Sequence, residues 1–347
     1  MIYRLNEDHT FTEFGNQWVE YVTTRYVPDS SLIVSMCIFD YTTAIPSITD
    51  ADRDIINNHT GYVIFDCSGN ITDSVQQYQN ILQLNLSVLC YMLTGEFIYH
   101  KNPPSNSYIK FFPFWAVWAS DPHSICNNNF RNYTFSEDPK KYKLSCLNGM
   151  EWQHRKWTYL QLAHKPYFSE LLFSYGNRIN KNPHDWTNEI QLTTEEHNQL
   201  MQLPSEVKFI NDDEIRGIDV SINHPAYLET YINLVTETNI NGKMSMLSEK
   251  TFKPIVAGQL FILIASTGAI QFLRDIGIDT FDDIIDHSYD TIVDSRLRLE
   301  TVITHVDHLM TLDLEQIYAQ IKPRLLRNSE YFRSEEFRQQ FPLTFEI

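Results

Sequence analysis

Short, nearly continuous apolar runs recur along this chain, each ending in polar residues and followed by a helix-compatible stretch. Residues 31–39 read SLIVSMCIF and lead into Asp40, residues 61–65 read GYVIF and lead into Asp66, and residues 86–92 form a third run. Strands buried on both faces read in this way, and parallel neighbours need a helical crossover between them. The pattern therefore predicts helices over 46–58 and 72–84, between strands of a parallel sheet. It restarts at 142–147 (YKLSCL), passes through a helix over 152–163 and a strand at 170–175 (ELLFSY), and resumes at 231–237 (YINLVTE) and 260–265. Between the two series, residues 100–140 are rich in Asn, Pro, Ser and aromatics and read as irregular structure closing a first domain. Residues 177–222 read as a polar insertion. Beyond Phe281 the periodicity predicts helices at 282–293, 296–310 and 312–326, with a short last one at 334–340.

Length and charge exclude several classes. A chain of 347 residues has room for two domains. With 43% hydrophobic residues it is not a disordered chain. No stretch approaches the 18 or more apolar residues of a membrane span. The start, MIYRLNEDHTF, has neither the basic nor the apolar region of a secretory signal, so a cytoplasmic location is expected. The five cysteines lack CxxC spacing, which fits reduced thiols. A net charge of −17 argues against a nucleic-acid scaffold. The charge is uneven, however: residues 1–96 hold 3 basic and 12 acidic side chains, and residues 97–189 hold 11 and 7. A locally basic middle suits a phosphate-bearing ligand, or equally a solvated face. Neither GxGxxG nor GxxxxGK[ST] occurs, so a dinucleotide-binding dehydrogenase and a P-loop NTPase are disfavoured. Asp212-Asp213 and Asp282-Asp283 are adjacent pairs without the spacing of a metal motif, and no HExxH occurs. No metal site is expected.

Residues 247–281 (LSEKTFKPIVAGQLFILIASTGAIQFLRDIGIDTF) hold the densest chemistry. Ser248 can cap a helix beginning with Glu249 and Lys250, and Lys253 stands four residues after Glu249. A buried run follows, then a turn at Thr267-Gly268 and a second amphipathic helix carrying Ile270, Leu273 and Ile276. A helix mouth with unpaired N–H groups and a nearby cation is a natural anion site. The plain alternative is a surface ion pair. Two further strand ends point the same way, since ligands of open α/β sheets bind outside the carboxyl ends of strands. One is Thr236-Glu237-Thr238. The other is Asn148-Gly149 followed by His154-Arg155, where glycine admits backbone to a phosphate and Arg155 can grip oxygens in pairs. Tyr175, at the end of the next strand, is a weaker candidate for contact with a base or ribose.

The SEKTFKPI segment with its following AG, and the later LRDIGIDTF, resemble the donor-binding segment of GT-B glycosyltransferases, closest to fucosyltransferase-like viral and bacterial enzymes. The resemblance covers roughly 142–176 and 231–292. It departs from the pattern at Leu260, where relatives often carry Pro, and at Asp286-His287, where they carry DE. It implies an α/β, GT-B-like fold, with two Rossmann-like βαβ domains facing a cleft and C-terminal helices packing back. The implied divisions are 1–140 for the acceptor, 141–310 for the donor, and 311–347 crossing back to the first domain. It implies transfer of a sugar from a nucleotide-sugar donor to an acceptor hydroxyl, with inversion of configuration and no metal required. Lys250 would neutralise the diphosphate and Glu249 would take the ribose, with Asn148, Arg155, Tyr175, Glu237, Ser248 and Lys253 around them. An inverting enzyme also needs a base from the first domain. Asp66 is preferred and Asp40 second, since both end apolar runs there, with Asp121 and His123 next. The acceptor is a carbohydrate or, as in related viruses, a hydroxymethylated pyrimidine of phage DNA. A non-catalytic nucleotide- or sugar-binding module is the reading from a different class.

Overall fold

The computed structural model describes residues 2–4, 31–35, 49–67, 74–84, 86–101, 108–121, 135, 138–150, 152–178, 190–205, 207, 225–240 and 245–343. Asp40 and His123 lie outside them. The chain is α/β and builds two separate, wholly parallel sheets. By contacts it divides into two units, one of Met1–Val117 with Gln339–Ile347 and one of Trp118–Arg338.

In the first unit five strands run in sequence order: β1 (Ile2–Arg4), β2 (Leu32–Ser35), β3 (Val63–Cys67), β4 (Cys90–Thr94) and β5 (Ile109–Phe111). Helix α1 (Asp50–Asn57) precedes β3, and α2 (Ser74–Leu82) precedes β4. Successive right-handed crossovers in one direction place such helices on one face. Ile56, Tyr78 and Ile81 accordingly share a core with Leu32, Val34, Val63, Phe65 and Met92. Thr49 starts α1 with a capping box: its hydroxyl accepts from the Asp52 N–H at 3.1 Å, and the Asp52 carboxylate accepts from the Thr49 N–H at 2.7 Å.

The second sheet is ordered β7-β6-β8-β9, from β6 (Tyr142–Met150), β7 (Leu171–Arg178), β8 (Thr230–Thr236) and β9 (Leu260–Ile264). Its strand order reverses at β6, so a topological switch point lies between β6 and β8. Helix α3 (Phe114–Ser120) leads into this unit, α4 (Gln153–Ala163) follows β6, and α5 (Thr194–Leu200) and α6 (Pro225–Leu228) precede β8. Helix α7 (Glu249–Val256) precedes β9, and α8 (Ala269–Asp275) follows it. The chain closes with α9 (Ser295–Leu309), α10 (Leu314–Phe332) and α11 (Glu335–Gln339). Helix α10 packs on α7: the rings of Phe252 and Phe332 stack at 5.2 Å, and the Ser329 hydroxyl donates to the Val256 carbonyl at 2.6 Å. Burying a phenylalanine is worth roughly 1.5–3 kcal/mol, so this pair holds α10 on α7. Gly258, at φ +65°, ends α7 where a Cβ would stand 2.7 Å from the Phe135 ring.

Three expectations need correction. Residues 282–293 are not a helix but turns and one 3₁₀ turn at Ser288–Thr291. Their carboxylates are engaged elsewhere: Asp282 pairs with Arg274 at 2.8 Å, Asp283 with Arg324 at 2.8 Å, and Asp290 accepts the N–H groups of Ile270 and Gln271 at 3.0 Å. Phe281 turns the chain with a positive φ of 59°. Asp286 also bonds locally, accepting from the Ser288 N–H at 2.8 Å, and such bonding competes with helix formation. Residues 100–140 contain β5 and α3 in addition to irregular structure. The third strand begins at Cys90, later than the run at 86–92 suggests. Among the described residues no helix is long and apolar enough to cross a membrane.

Candidate functional site

The carboxyl ends of β6 and β8 meet at the switch point, and buried side chains stitch them together. Asn148, on β6 and fully buried, donates to the Cys146 thiol at 3.3 Å and accepts from the Thr236 hydroxyl at the end of β8. Two residues in the first turn of α4 reach across to the same place. His154 Nε2 bonds the Glu237 carbonyl at 2.9 Å, and the Arg155 guanidinium donates to the Thr236 carbonyl at 2.8 Å. A carbonyl only accepts, so His154 carries its proton on Nε2. Burial, and then the Arg155 charge, press its pKa down to about 3, so the ring stays neutral near pH 7.

Glu237 follows β8 directly and is 1% exposed. Its Oε1 accepts from the Ser248 N–H at 3.0 Å and the Thr251 hydroxyl at 2.6 Å, and its Oε2 accepts from the Ser248 hydroxyl at 2.6 Å. The carboxylate therefore sits against the N-terminus of α7, where the helix dipole favours an anion. Glu237 builds the α7 mouth; the expectation that it faces a ligand meets a carboxylate with both oxygens already bonded inside the protein. Ser248 completes the cap by accepting from the Lys250 N–H at 3.3 Å.

That cap aims Lys250. Its ammonium donates to Ser248 Oγ at 3.2 Å and to Glu249 Oε1 at 3.1 Å, with the lysine side chain 34% exposed and the glutamate 12%. Burial disfavours the ammonium, but Glu249 and Glu237 outweigh it and hold the Lys250 pKa above its ordinary value, against the opposing charge of Arg155. Burial likewise disfavours the Glu249 carboxylate, and Lys250 with Lys253 outweighs it, so that its pKa is lowered. Lys253 is 3% exposed. Arg155, Lys250 and Lys253 against Glu237 and Glu249 leave one formal positive charge. The structure thus brings together Asn148, Arg155, Glu237, Ser248, Glu249, Lys250 and Lys253. Chemically the cluster offers cations to a phosphate and a carboxylate to hydroxyl donors.

Tyr175 is paired in register with Asn148, yet its ring is used for packing: it stacks on Tyr159 at 4.5 Å and is 5% exposed. Asp66 is paired with Leu93 near the carboxyl end of β3, and its side chain lies outside the described part. Asp40 lies outside entirely. Asp121 is buried just after α3. In the sequence Thr251 carries no signal of its own beside Lys250, and His154 is named only together with Arg155. Among the described residues no group of His, Cys, Asp and Glu is arranged to hold a metal ion. A cavity of about 540 Å³ lined by Arg274, Asp282, Asp286, His287 and His308 includes none of the expected site residues.

No protein-family model matches the sequence, and no curated protein matches it significantly. Seven solved chains align with it, three of them as follows. T4 phage β-glucosyltransferase in complex with UDP and Mn²⁺ aligns with 11% identity and a TM-score of 0.41, over 90% of this chain and 81% of that one. A structure of the DNA-modifying enzyme β-glucosyltransferase, with and without uridine diphosphoglucose, aligns with 10% identity and a TM-score of 0.41, over 98% of both chains. The spinosyn rhamnosyltransferase SpnG aligns with 9% identity and a TM-score of 0.34, over 88% of this chain and 72% of that one.

Proposed function

We propose that this chain is a GT-B glycosyltransferase whose second unit binds a nucleotide-sugar donor. The observation that carries the reading is the cluster at the switch point, where Arg155, Lys250 and Glu249 gather around a helix turn fixed by the buried Glu237. Ligands of open α/β sheets bind at such points, outside the carboxyl ends of the strands. Lys250 and Arg155 take the diphosphate, and Lys253 adds to the positive field. Glu249 accepts from the ribose hydroxyls, exchanging its bond to Lys250 for one to the ligand. Asn148, Tyr175, Glu237 and Ser248 shape the wall behind them.

In the reaction an acceptor oxygen attacks the anomeric carbon while the carbon–oxygen bond to the diphosphate breaks. The bonding electron pair leaves on the diphosphate, whose developing charge meets Lys250 and Arg155. The acceptor proton goes to a carboxylate of the first unit, with Asp66 and Asp40 the candidates drawn from sequence. Attack opposite the leaving group inverts the anomeric centre. The cationic side chains supply the charge stabilisation, so a metal ion is not required, and the location is cytoplasmic. The acceptor is a carbohydrate hydroxyl. The excess of 11 basic over 7 acidic side chains in residues 97–189 favours a second reading, a hydroxymethylated pyrimidine in DNA.

The test is calorimetry with a panel of nucleoside diphosphates, followed by turnover of the matching nucleotide sugars with glycan and modified-DNA acceptors, with and without a chelator. Transfer that survives chelation supports the reading. Binding without any turnover points to a non-catalytic module, and no binding by any member of the panel removes the reading altogether.

A further inference from the structure

Among the described residues, side chains close the outer edge of the second sheet. β9 is the last strand of that sheet, and all five of its residues are buried. Its Ile264 carbonyl accepts from the Glu237 N–H at 2.9 Å and so faces β8. Backbone groups alternate sides along a strand, so those of Leu263 and of Ala265 face outward. Two buried side chains take them. The Tyr289 hydroxyl accepts from the Leu263 N–H at 3.2 Å, and Arg298 Nε donates to the Ala265 carbonyl at 3.0 Å.

Tyr289 is held in turn by a histidine. His287 is buried and has both ring nitrogens bonded: Nε2 lies 2.8 Å from the Thr280 carbonyl, and Nδ1 lies 2.9 Å from the Tyr289 hydroxyl. A carbonyl only accepts, so Nε2 carries the proton and Nδ1 offers a lone pair. The hydrogen bonds then run one way, from the Leu263 N–H to the tyrosine oxygen and from the tyrosine O–H to His287. A second proton on the ring blocks the last step. Nδ1 becomes a donor facing a donor, and the tyrosine hydrogen loses its acceptor in a place closed to water. The charged groups about the ring are Asp282, 3.9 Å from Nε2, Arg274 of α8, and Asp290. From α9, His305 packs on the Tyr289 ring at 6.0 Å and stands 3.8 Å from Asp286, and His308 lines the same cavity as His287. Burial presses the His287 pKa below its ordinary value and Arg274 adds to this, while the Thr280 carbonyl, Asp282 and Asp290 oppose it without prevailing.

We propose that His287 and Tyr289 form an acid-sensitive clasp on the outer edge of β9, closed while the ring is neutral and released when it gains a second proton. Release frees the Leu263 N–H and loosens residues 287–290. The same residues hold the start of α8: the Asp290 carboxylate accepts from the Ile270 and Gln271 N–H groups and its carbonyl from the Gly268 N–H, each at 3.0 Å. The turn from β9 into α8 is therefore softer in acid than at neutral pH. The open form takes its proton near the ordinary imidazole value of 6.5, and the closed form only below it. The clasp is thus stable above that value and weakens as pH falls. It lies in the second unit alone, uses none of the groups assigned to the donor, and stands whether or not the transferase reading does.

Native-state hydrogen exchange of the full-length protein, corrected for the intrinsic rate at each pH, tests the clasp. Between pH 7.5 and pH 5 the Leu263 amide is expected to lose protection by up to about thirtyfold, the limit for one proton taken up near 6.5, while the amides of β8 keep theirs. Nitrogen NMR of the His287 ring should show the Nε2–H tautomer at pH 7.5. His287→Asn offers the tyrosine an amide oxygen in place of Nδ1 and does not titrate, so its Leu263 protection should hardly change with pH. Tyr289→Phe keeps the ring and removes the hydroxyl, so Leu263 should exchange fast at both pH values. The wild-type readouts decide the matter even where a variant fails to fold. Leu263 protection that is the same at both pH values, or an Nδ1–H tautomer at pH 7.5, overturns the proposal. Equal loss throughout β8 and β9 does so too, since it reports unfolding of the whole sheet, and so does an acid loss that persists undiminished in His287→Asn.

Discussion

The carboxyl edges of the two sheets are built differently. In the second unit the strand order reverses, and side chains from two strand ends and two helix starts fill the reversal: Asn148, His154 and Arg155 on one side, Glu237, Ser248 and Thr251 on the other. In the first unit the strands run in order without reversal, and the edge carries a carboxylate and a group of aromatic rings. The first arrangement suits an anion that must be bound tightly in one orientation, because charged donors are fixed before the ligand arrives. The second suits a ring recognised by its faces. The difference separates affinity from chemistry, and substitutions at each edge can show whether that separation is real.

The largest effect is expected at the exposed end of the second-unit cluster. Lys250→Ala removes the cation that the α7 cap aims. It should weaken nucleoside diphosphate binding by on the order of 2–4 kcal/mol, read by calorimetry. Every 1.4 kcal/mol is about tenfold, so micromolar binding would weaken to tens or hundreds of micromolar. Folding should change little, since the side chain is 34% exposed. Unchanged affinity would break the comparison at its strongest point.

Glu237→Ala tests whether the mouth is built from inside. The substitution leaves the Ser248 N–H and the hydroxyls of Ser248 and Thr251 without the acceptor they share. Hydrogen bonds to a charged group contribute about 1.5–3 kcal/mol, so urea unfolding should show a loss of about 2–3 kcal/mol. Nucleoside diphosphate affinity should fall as well, although Glu237 is not assigned to touch the ligand. A destabilised variant with intact affinity would show that the α7 turn keeps its shape without its anion.

How far the sequence led depends on the range of the contacts involved. The strands and α4 were legible because burial on both faces leaves unbroken apolar runs, and α7 because Ser248 stands where a cap belongs. Glu249 and Lys250 were legible because they adjoin that cap. The task of Glu237 was not, because its partners Ser248 and Thr251 lie 11 and 14 residues away across a loop. The carboxyl end of β4 was misplaced because the run at 86–92 suggested a strand ending before Thr94. The helix expected at 282–293 failed for a related reason. Arg274 and Arg324 draw its carboxylates into tertiary pairs that no periodicity reveals.

His154 gives the comparison a pH axis. Its pKa is about 3 in the folded chain, against 6.5 for a free imidazole. The unfolded state therefore binds more protons between those values, and stability rises with pH across that window and is lost as pH falls below about 6.5. At pH 5 the penalty is about 2 kcal/mol, at 1.36 kcal/mol per unit. His154→Gln retains a donor for the Glu237 carbonyl and does not titrate. Denaturant unfolding at pH 7 and pH 5 should show a smaller acid loss in the variant than in the wild type. Equal losses would mean that the ring gains its proton without breaking the stitch between α4 and β8.

The smallest effect checks that the two edges act independently. Thr49 and Ser248 both cap helices, one in each unit, and both lose a side-chain bond to a backbone N–H when replaced by alanine. Either substitution should cost about 1 kcal/mol of helix stability. Thr49 belongs to a capping box with Asp52 in the first unit, so Thr49→Ala should lower stability and leave nucleoside diphosphate affinity where it was. Ser248 bonds both Glu237 and the Lys250 ammonium, so Ser248→Ala should lower stability by a similar amount and weaken the ligand too. Matched unfolding and calorimetric titrations of the two variants separate the cases. If Thr49→Ala weakens the ligand as much as Ser248→Ala does, the caps report only on general stability, and the division of binding and chemistry between two differently built sheet edges fails.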